Sequence, residues 1–217
     1  MPVGVKICGL RSRAEVRIAA EAGASYFGMV FYPPSPRHVS LADARWIAGG
    51  VPEGLVRVAL TVNADDRSLE QILNAAPFDM LQLHGRETPE RVAEVRARFG
   101  RPVMKAIGVA ISADLAQVEA YAGVADQLLV DARAAPGSKP GGNGLAFDWR
   151  LLEGRDWPLP WMLAGGLTPE NVGEAIRLTG ALQVDVASGV ESRPGYKDAA
   201  KVTAFVRSAR DAERLDA

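Results

Sequence analysis

Short apolar segments alternate with longer amphipathic segments from one end of the chain to the other. The apolar segments are dense in Val, Ile, Leu and Phe, which is typical of parallel strands covered on both faces. They predict eight strands: Val3–Cys8, Tyr26–Phe31, Val56–Val62, Met80–His84, Val103–Val109, Gln127–Ala132, Trp161–Ala164 and Leu182–Ala187. The amphipathic segments predict eight helices: Ser12–Ala22, Leu41–Gly49, Ser68–Ala75, Thr88–Phe99, Ser112–Tyr121, Phe147–Leu152, Thr168–Leu178 and Lys197–Arg210.

Residues with capping character mark several of the predicted helix starts. Ser12 and Glu15 have the spacing of a capping box, in which each side chain satisfies a free backbone amide of the first turn. Thr88-Pro89-Glu90 and Thr168-Pro169-Glu170 each place a capping residue before Pro and an acidic residue. These signals predict helices that begin near positions 12, 88 and 168.

Eight strand–helix units with short connections favour an α/β fold, a single-domain (β/α)8 TIM barrel that spans residues 1–217. An open, doubly wound sheet is the alternative. The first strand, however, ends in Cys8-Gly9-Leu10 and not in the G-x-G-x-x-G pattern common in such sheets. No linker, low-complexity segment or shift in composition marks a second domain.

Composition narrows the classes of partner. The 25 Lys and Arg residues balance 26 Asp and Glu residues, so no global field attracts nucleic acid or an anionic membrane. The single cysteine, Cys8, excludes an internal disulfide and a Cys-rich zinc site. No segment approaches the ~18 consecutive apolar residues that span a bilayer, and the N-terminal residues lack the features of a signal peptide. We therefore expect a cytoplasmic protein that binds neither nucleic acid nor membranes.

The active site of a TIM barrel lies at the C-terminal ends of its strands. There the sequence places a thiol at Cys8, an imidazole at His84 and a carboxyl group at Asp131. Cys8 is either a small buried apolar residue or a reactive thiol favoured by Lys6, which itself has Asp185 as an alternative partner. An apolar setting favours the protonated form of a carboxyl group, which suits Asp131 to acid catalysis. The alternative is that Asp131 caps a helix or anchors a loop. His84 is predicted to donate a hydrogen bond to the substrate or to line the wall of the site. A role as proton carrier is a weaker alternative.

Two glycine-rich turns follow the last two strands, where barrels of this type commonly bind phosphate. Gly165-Gly166 lets the backbone approach an anion closely, and Ser188-Gly189 adds amides and a hydroxyl. Arg37, in a proline-stiffened loop, is either a bidentate partner for a carboxylate or phosphate, or a solvated loop residue. The long Gly- and Pro-rich segment Arg133–Leu145, which contains Gly142, is predicted to cover the substrate.

Seven short motifs occur in order along nearly the whole chain. They are Lys6-Ile7-Cys8-Gly9, the segment from Phe31 to Arg37, Gln82-Leu83-His84-Gly85, Gly141-Gly142-Asn143-Gly144 with Phe147-Asp148-Trp149, Gly165-Gly166-Leu167 with Pro169-Glu170-Asn171-Val172, Asp185-Val186-Ala187-Ser188-Gly189-Val190-Glu191, and Pro194-Gly195. No single motif is specific, but the ordered set resembles the phosphoribosylanthranilate isomerases, enzymes of tryptophan biosynthesis.

This resemblance implies a (β/α)8 enzyme without cofactor or metal, an intramolecular oxidoreductase of the aldose–ketose isomerase type. The implied reaction is the Amadori rearrangement of a small molecule, N-(5'-phosphoribosyl)anthranilate, to 1-(2-carboxyphenylamino)-1-deoxyribulose 5-phosphate. The resemblance assigns Cys8 as general base, Asp131 as general acid and Arg37 as the partner of the anthranilate carboxylate. It assigns the remaining phosphate and loop contacts to His84, Gly142, Gly165, Gly166, Ser188 and Gly189. A monomer and a homodimer are both compatible with the sequence.

Four positions depart from the pattern of that family. Asn143 stands where Thr or Ser is expected, Ala187 where Ser is common, His38 where an aromatic residue is frequent, and Thr61 where Phe is frequent. None of them is the implied acid, base or carboxylate partner. Two alternatives remain: another barrel enzyme that acts on a phosphorylated sugar, and a phosphate-binding barrel without activity. A histidine-pathway type of isomerase resembles a design with two catalytic carboxylates, which Cys8 argues against.

Overall fold

The computed structural model describes residues 2–133 and 147–214. Eight strands within these residues form one closed, parallel sheet in sequential order. They are β1 (Gly4–Cys8), β2 (Tyr26–Phe31), β3 (Val56–Thr61), β4 (Met80–Leu83), β5 (Val103–Val109), β6 (Gln127–Ala132), β7 (Trp161–Leu163) and β8 (Gln183–Val186). β8 pairs with β1, with Asp185 opposite Lys6, and this pairing closes the sheet. The predicted barrel is therefore confirmed, and the alternative prediction of an open, doubly wound sheet is wrong.

Helices connect the strands. They are α1 (Arg13–Ala22), α2 (Leu41–Ala48), α3 (Asp66–Ala75), α4 (Pro89–Phe99), α5 (Gln117–Tyr121), α6 (Val172–Thr179) and α7 (Ala199–Arg214). Two predicted α-helices are partly or wholly 3₁₀: Ser112–Ala116 is a 3₁₀ segment that leads into α5, and the sixth connection has only the 3₁₀ segment Trp149–Leu152 among its described residues. Within the part of the chain described, no helix has the length and apolar character needed to cross a membrane.

The last two helices begin later than the sequence predicts. Asn171 Oδ1 accepts a hydrogen bond from the backbone N–H of Thr168 at 2.7 Å, so this segment forms a turn and α6 begins at Val172. After β8, the short strands β9 (Glu191–Arg193) and β10 (Tyr196–Lys197) form an antiparallel hairpin that the sequence pattern did not indicate. Lys197, the first residue of the predicted helix, belongs to this hairpin, and α7 begins at Ala199.

The first helix has a one-sided cap and not the reciprocal capping box that its spacing predicts. Ser12 Oγ accepts the backbone N–H of Glu15 at 3.2 Å, as expected. The Glu15 carboxylate instead accepts the backbone N–H groups of Arg11 at 2.6 Å and of Lys197 at 3.0 Å. Glu15 therefore joins the start of α1 to the hairpin 182 positions further along the chain.

Alternate residues of each strand point into the barrel, and these residues form distinct layers. One apolar layer contains Met104, Ala106, Leu129, Met162 and Ala164, with Met80 packed against it. A second apolar layer, at the C-terminal end, contains Cys8, Val30 and Leu60. The buried polar residues Lys6 and Gln82 stand one inward position before Cys8 and His84, respectively. Lys6 and Gln82 therefore form a polar layer directly beneath the C-terminal mouth of the barrel.

Candidate active site

A cleft opens at the C-terminal mouth of the barrel and contains about 440 Å³ of atom-free space, including space open to solvent. Four residues that the sequence singles out line it together: Cys8 from β1, Arg37 from the loop after β2, His84 from the end of β4 and Asp131 from β6. Asp185 and Ala187 of the β8 region also line the cleft. The structure thus brings residues from five different strand ends to one place, as a TIM-barrel active site requires.

Cys8 is buried and lies beside an ion pair. Lys6 Nζ donates a hydrogen bond to Asp185 Oδ1 at 2.9 Å, and Lys6 is fully buried. Burial alone would lower the pKa of Lys6, but the negative charge of Asp185 and an interaction with Cys8 outweigh it and raise that pKa. Burial raises the pKa of the Cys8 thiol, and the positive charges of Lys6 and Lys197 oppose this only in part. The two partners that the sequence offered for Lys6 are thus both near it.

Asp131 and His84 face each other across the mouth of the barrel. Asp131 Oδ1 accepts the backbone N–H of Ala132 at 2.8 Å, and Oδ2 lies 3.3 Å from His84 Nε2. His84 Nδ1 lies 2.9 Å from the side-chain amide nitrogen of Gln82, two residues earlier on the same side of β4. Asp131 therefore combines an anchored oxygen with a second oxygen that faces an imidazole. The sequence did not indicate a role for Gln82, although its parity with His84 was visible.

Arg37 is buried, so the interpretation of a solvated loop residue is wrong. Its Nε and Nη2 donate to the two carboxylate oxygens of Glu191 at 2.7 and 2.8 Å, which is a bidentate pair. Gly9, with φ of +79°, makes room for the arginine, because a Cβ at that position would lie 2.5 Å from Arg37 Cδ. The guanidinium is thus held in a fixed orientation over the end of β1.

Glu191 also binds a second buried cation, Lys197. The Lys197 ammonium donates to Glu191 Oε1 and to the carbonyl oxygen of Ala187, both at 2.8 Å. Burial alone would raise the pKa of Glu191, but its hydrogen bond to Arg37 and the charge of Lys197 lower it. Burial lowers the pKa of Lys197 despite the nearby carboxylate. The sequence pattern indicated no role for Glu191 or Lys197, because Arg37, which they help to hold, lies 154 positions before Glu191 in the chain.

The two predicted phosphate turns pack against each other. Gly165 and Gly166 have φ values of +88° and +65°, a conformation that favours glycine. Ser188 and Gly189 lie in a short 3₁₀ segment, and Gly189 packs against the carbonyl oxygen of Leu167 so closely that no Cβ fits. The backbone of both turns is therefore gathered beside β7 and β8. Gly142 and the rest of the glycine loop from position 134 lie outside the described residues.

A buried ion pair supports the end of β4 from behind. Lys105 Nζ donates to Glu87 Oε2 at 2.8 Å and to the carbonyl oxygens of Leu83 and Gly85 at 3.3 and 2.8 Å. The Glu87 carboxylate accepts the backbone N–H groups of Asn63 and Gly85 at 2.8 and 2.9 Å. These bonds fix the backbone on both sides of His84. The pattern did not indicate this pair, because Lys105 of β5 binds the backbone at the end of β4, while Glu87 binds the backbone after β3.

Among residues 2–133 and 147–214, no three His, Cys, Asp or Glu side chains are grouped so that they would hold a metal ion.

Comparison with known proteins identifies the family. Residues 5–208 match the family described as N-(5'phosphoribosyl)anthranilate (PRA) isomerase. The N-(5'-phosphoribosyl)anthranilate isomerase of Cereibacter sphaeroides is 60% identical over 209 residues, which cover 96% of this chain and 99% of the relative. A phosphoribosyl anthranilate isomerase in complex with reduced 1-(o-carboxyphenylamino)-1-deoxyribulose 5-phosphate superposes with a TM-score of 0.85 and 33% identity, and the match covers 96% of this chain and 99% of that chain.

A further solved structure, of monomers generated from the dimeric phosphoribosylanthranilate isomerase of Thermotoga maritima, has a TM-score of 0.84 and 33% identity over 96% of this chain and 99% of its own. Similarity to these proteins extends over nearly the entire length of both partners. The fold, the cleft at the mouth of the barrel and the matched sequence agree. The chain therefore belongs to the N-(5'-phosphoribosyl)anthranilate isomerase family.

Proposed function

We propose that this protein converts N-(5'-phosphoribosyl)anthranilate into 1-(2-carboxyphenylamino)-1-deoxyribulose 5-phosphate, an aldose–ketose isomerisation in tryptophan biosynthesis. The observation that carries the proposal is one cleft that is lined by a thiol from β1 and a carboxyl group from β6. A group that removes a proton and a group that donates one, facing the same space from different strands, are what an Amadori rearrangement needs. We further propose that the whole chain, residues 1–217, is one barrel domain.

Asp131 acts as the general acid. It donates a proton to the ring oxygen of the ribose, and the C–O bond of the ring breaks to give an open-chain Schiff base. The anchored oxygen of Asp131, which accepts the N–H of Ala132 at 2.8 Å, holds the carboxyl group in a fixed position while the other oxygen exchanges its proton. A positioned acid of this type contributes about 10²–10⁴-fold to the rate.

Cys8 acts as the general base. As a thiolate it removes the proton from C2 of the ribose-derived chain, which the adjacent protonated imine makes acidic. The resulting enolamine tautomerises to the ketone. The raised pKa of Cys8 lowers the fraction of thiolate at neutral pH, but it makes each thiolate a stronger base. The buried ammonium of Lys6 supplies the positive charge that stabilises the thiolate when it forms.

Arg37 binds the anthranilate carboxylate. Its guanidinium lines the cleft while Glu191 fixes its Nε and Nη2, so little side-chain entropy is lost when the substrate arrives. The turns at Gly165-Gly166 and Ser188-Gly189 bind the substrate phosphate through backbone N–H groups, and His84 and Gly142 make further substrate contacts. Support for the phosphate site comes from the left-handed glycines and from the close packing of the two turns.

The proposed partner is this small-molecule substrate, with neither nucleic acid nor membrane. We expect a monomer or a homodimer, and the relative from Thermotoga maritima is described as dimeric. The proposed location is the cytoplasm, because a catalytic thiol at Cys8 needs a compartment that keeps cysteines reduced.

The test is the loss of fluorescence of freshly generated phosphoribosylanthranilate on addition of the purified protein. We expect rapid, protein-dependent loss, and a fall of several orders of magnitude in Cys8→Ala and Asp131→Asn. Asp211→Asn, which changes an exposed carboxylate on α7, is the matched control and should retain activity. Loss no faster than the spontaneous rate would refute the proposed activity. Binding of substrate without turnover would favour the phosphate-binding barrel without activity.

A further inference from the structure

Gln82 is a buried polar residue in the barrel whose hydrogen bonding is incomplete. Its side chain is fully buried, and its amide nitrogen lies 2.9 Å from His84 Nδ1. Its amide oxygen is also buried and has no hydrogen-bond partner within residues 2–133 and 147–214. An unpaired carbonyl oxygen in a protein interior is costly. Within the described residues the contact of the amide nitrogen with His84 holds this orientation, and no hydrogen bond to the oxygen supports it.

The present orientation determines which nitrogen of His84 carries the proton. An amide NH₂ group only donates, so His84 Nδ1 must accept and is unprotonated. The neutral ring then carries its proton on Nε2, which lies 3.3 Å from Asp131 Oδ2. That proton points towards Asp131 Oδ2, and this arrangement suits the carboxylate form of Asp131. The pair formed by His84 and Asp131 then holds one exchangeable proton.

A half turn of the Gln82 amide would place its oxygen against His84 Nδ1. This oxygen only accepts, so Nδ1 then carries a proton. The proton that enters from solvent binds Nδ1, while the proton already on Nε2 passes to Asp131 Oδ2. The ring stays neutral, Nε2 accepts a hydrogen bond from the protonated carboxyl group, and the pair now holds two protons. One proton is taken up, and no other bond forms or breaks.

We propose that Gln82 is a positioning residue whose amide, by its orientation, selects the tautomer of His84 and thereby loads Asp131 with the proton used in acid catalysis. This inference rests on the proposed function of Asp131 as general acid. It extends that function by two groups: Gln82, to which the sequence assigned no role, and His84, which becomes a proton carrier in addition to a substrate contact.

The charged groups around this set are largely paired with one another. Lys105 of β5 is bound to Glu87 at 2.8 Å, and Lys6 is bound to Asp185 at 2.9 Å. The other titratable or charged side chains that line the cleft or adjoin it are Cys8, Tyr32, Arg37 bound to Glu191, and Arg133 bound to Asp114. Within each of these ion pairs the charges balance. Gln82, His84 and Asp131 therefore form a route for a proton that is separate from the ion pairs.

The direct test is nitrogen NMR of the imidazole rings in the native protein labelled with ¹⁵N-histidine. The chain has two histidines, so a spectrum of His38→Asn assigns the signals of His84. We expect Nε2–H at high pH and a change to an Nδ1-protonated form as the pH falls. A ring that keeps one tautomer through the whole range in which activity changes would overturn the proposal. This measurement needs no Gln82 variant to fold.

Two variants then link the tautomer to catalysis. Gln82→Glu offers only an accepting carboxylate, so it should hold His84 in the Nδ1-protonated form and shift the alkaline limb of the kcat profile upward by about one pH unit, a tenfold change in proton occupancy. Gln82→Met removes both hydrogen-bonding options and should lower kcat about tenfold with little change in KM. Gln127→Glu is the matched control, because Gln127 is a buried glutamine bound to Gln183 and not to His84.

The outcomes separate this inference from the proposed function. Unchanged pH profiles and an unchanged tautomer in Gln82→Glu would overturn the role of Gln82 even if the native protein is a fast isomerase. A shift of equal size in Gln127→Glu would show a general effect of buried charge and would also overturn it. A tautomer that switches with pH in a protein without isomerase activity would overturn its role in acid catalysis and the proposed function together.

Discussion

Removal of the Glu191 carboxylate should unbalance the buried charges beside the active site. Glu191 accepts hydrogen bonds from Arg37 Nε and Nη2 at 2.7 and 2.8 Å, from Lys197 Nζ at 2.8 Å and from the backbone N–H of Gly195 at 3.2 Å. In Glu191→Ala the two cations would remain buried next to each other without their counter-charge. We therefore predict a loss of stability together with a loss of the fixed orientation of Arg37.

The magnitude follows from these contacts. Removing one partner of a buried ion pair costs about 3–5 kcal/mol, which is a large part of the ~5–15 kcal/mol by which a native domain is stable. Glu191→Gln keeps the volume but replaces one accepting oxygen by a donor, so it loses at least one hydrogen bond to a charged group. We expect it to cost about 1.5–3 kcal/mol.

The pH dependence has a definite sign. The pKa of Glu191 is lowered in the folded protein, so its stabilising effect is fully present above the usual glutamate pKa of about 4.3. This effect is lost as the pH falls through the lowered value of the folded state. The difference in stability between the native protein and Glu191→Gln should therefore be largest near neutral pH and should shrink below about pH 4.

Urea unfolding at pH 7 and at successively lower pH measures this difference. Steady-state kinetics should show a raised KM in Glu191→Gln, because the proposed carboxylate partner Arg37 is no longer held in one orientation. Glu70→Gln, on the exposed side of α3, is the matched control. Unfolding of Glu191→Gln at the same urea concentration as the native protein at pH 7 would contradict this prediction. A stability difference that grows as the pH falls would refute it equally.

Three further predictions concern the remainder of the site. Because burial raises the pKa of Cys8, its alkylation by iodoacetamide should still accelerate with pH where an exposed thiol, with a pKa of about 8.5, has levelled off; an early plateau would contradict this. Gly165→Ala should lower Tm more than Gly154→Ala, since both glycines have positive φ but only the Cβ at Gly165 meets another atom, Ala132 N at 2.7 Å; equal shifts would contradict the close packing. Lys105→Met should lower the free energy of unfolding by about 3–5 kcal/mol, measured in urea, because it leaves the Glu87 carboxylate buried and unpaired; a smaller loss than in an exposed Lys201→Met control would contradict this.

Local pattern determined the barrel and most of its elements. The bounds of β2, β5 and β6 are those that the apolar segments predict, because a run of buried side chains between polar breakers defines a strand without reference to distant residues. The position of candidate groups at the strand ends followed from the same pattern, since parallel strands of a barrel bring their carboxyl ends to one mouth. The resemblance of the ordered motifs added the family, which the comparisons confirm.

Tertiary structure decided the partners of the polar groups. Arg37 and Glu191 are 154 positions apart, and only closure of the barrel brings the loop after β2 against the hairpin after β8. The same closure sets Asp131 opposite His84 and leaves the oxygen of Gln82 without a hydrogen-bond partner among residues 2–133 and 147–214. Hydrophobic periodicity records which side of an element is buried, but it does not record which distant polar group lies there. The sequence by itself therefore determined the scaffold and the place of the chemistry, while the contacts that orient each charge came only with the folded barrel.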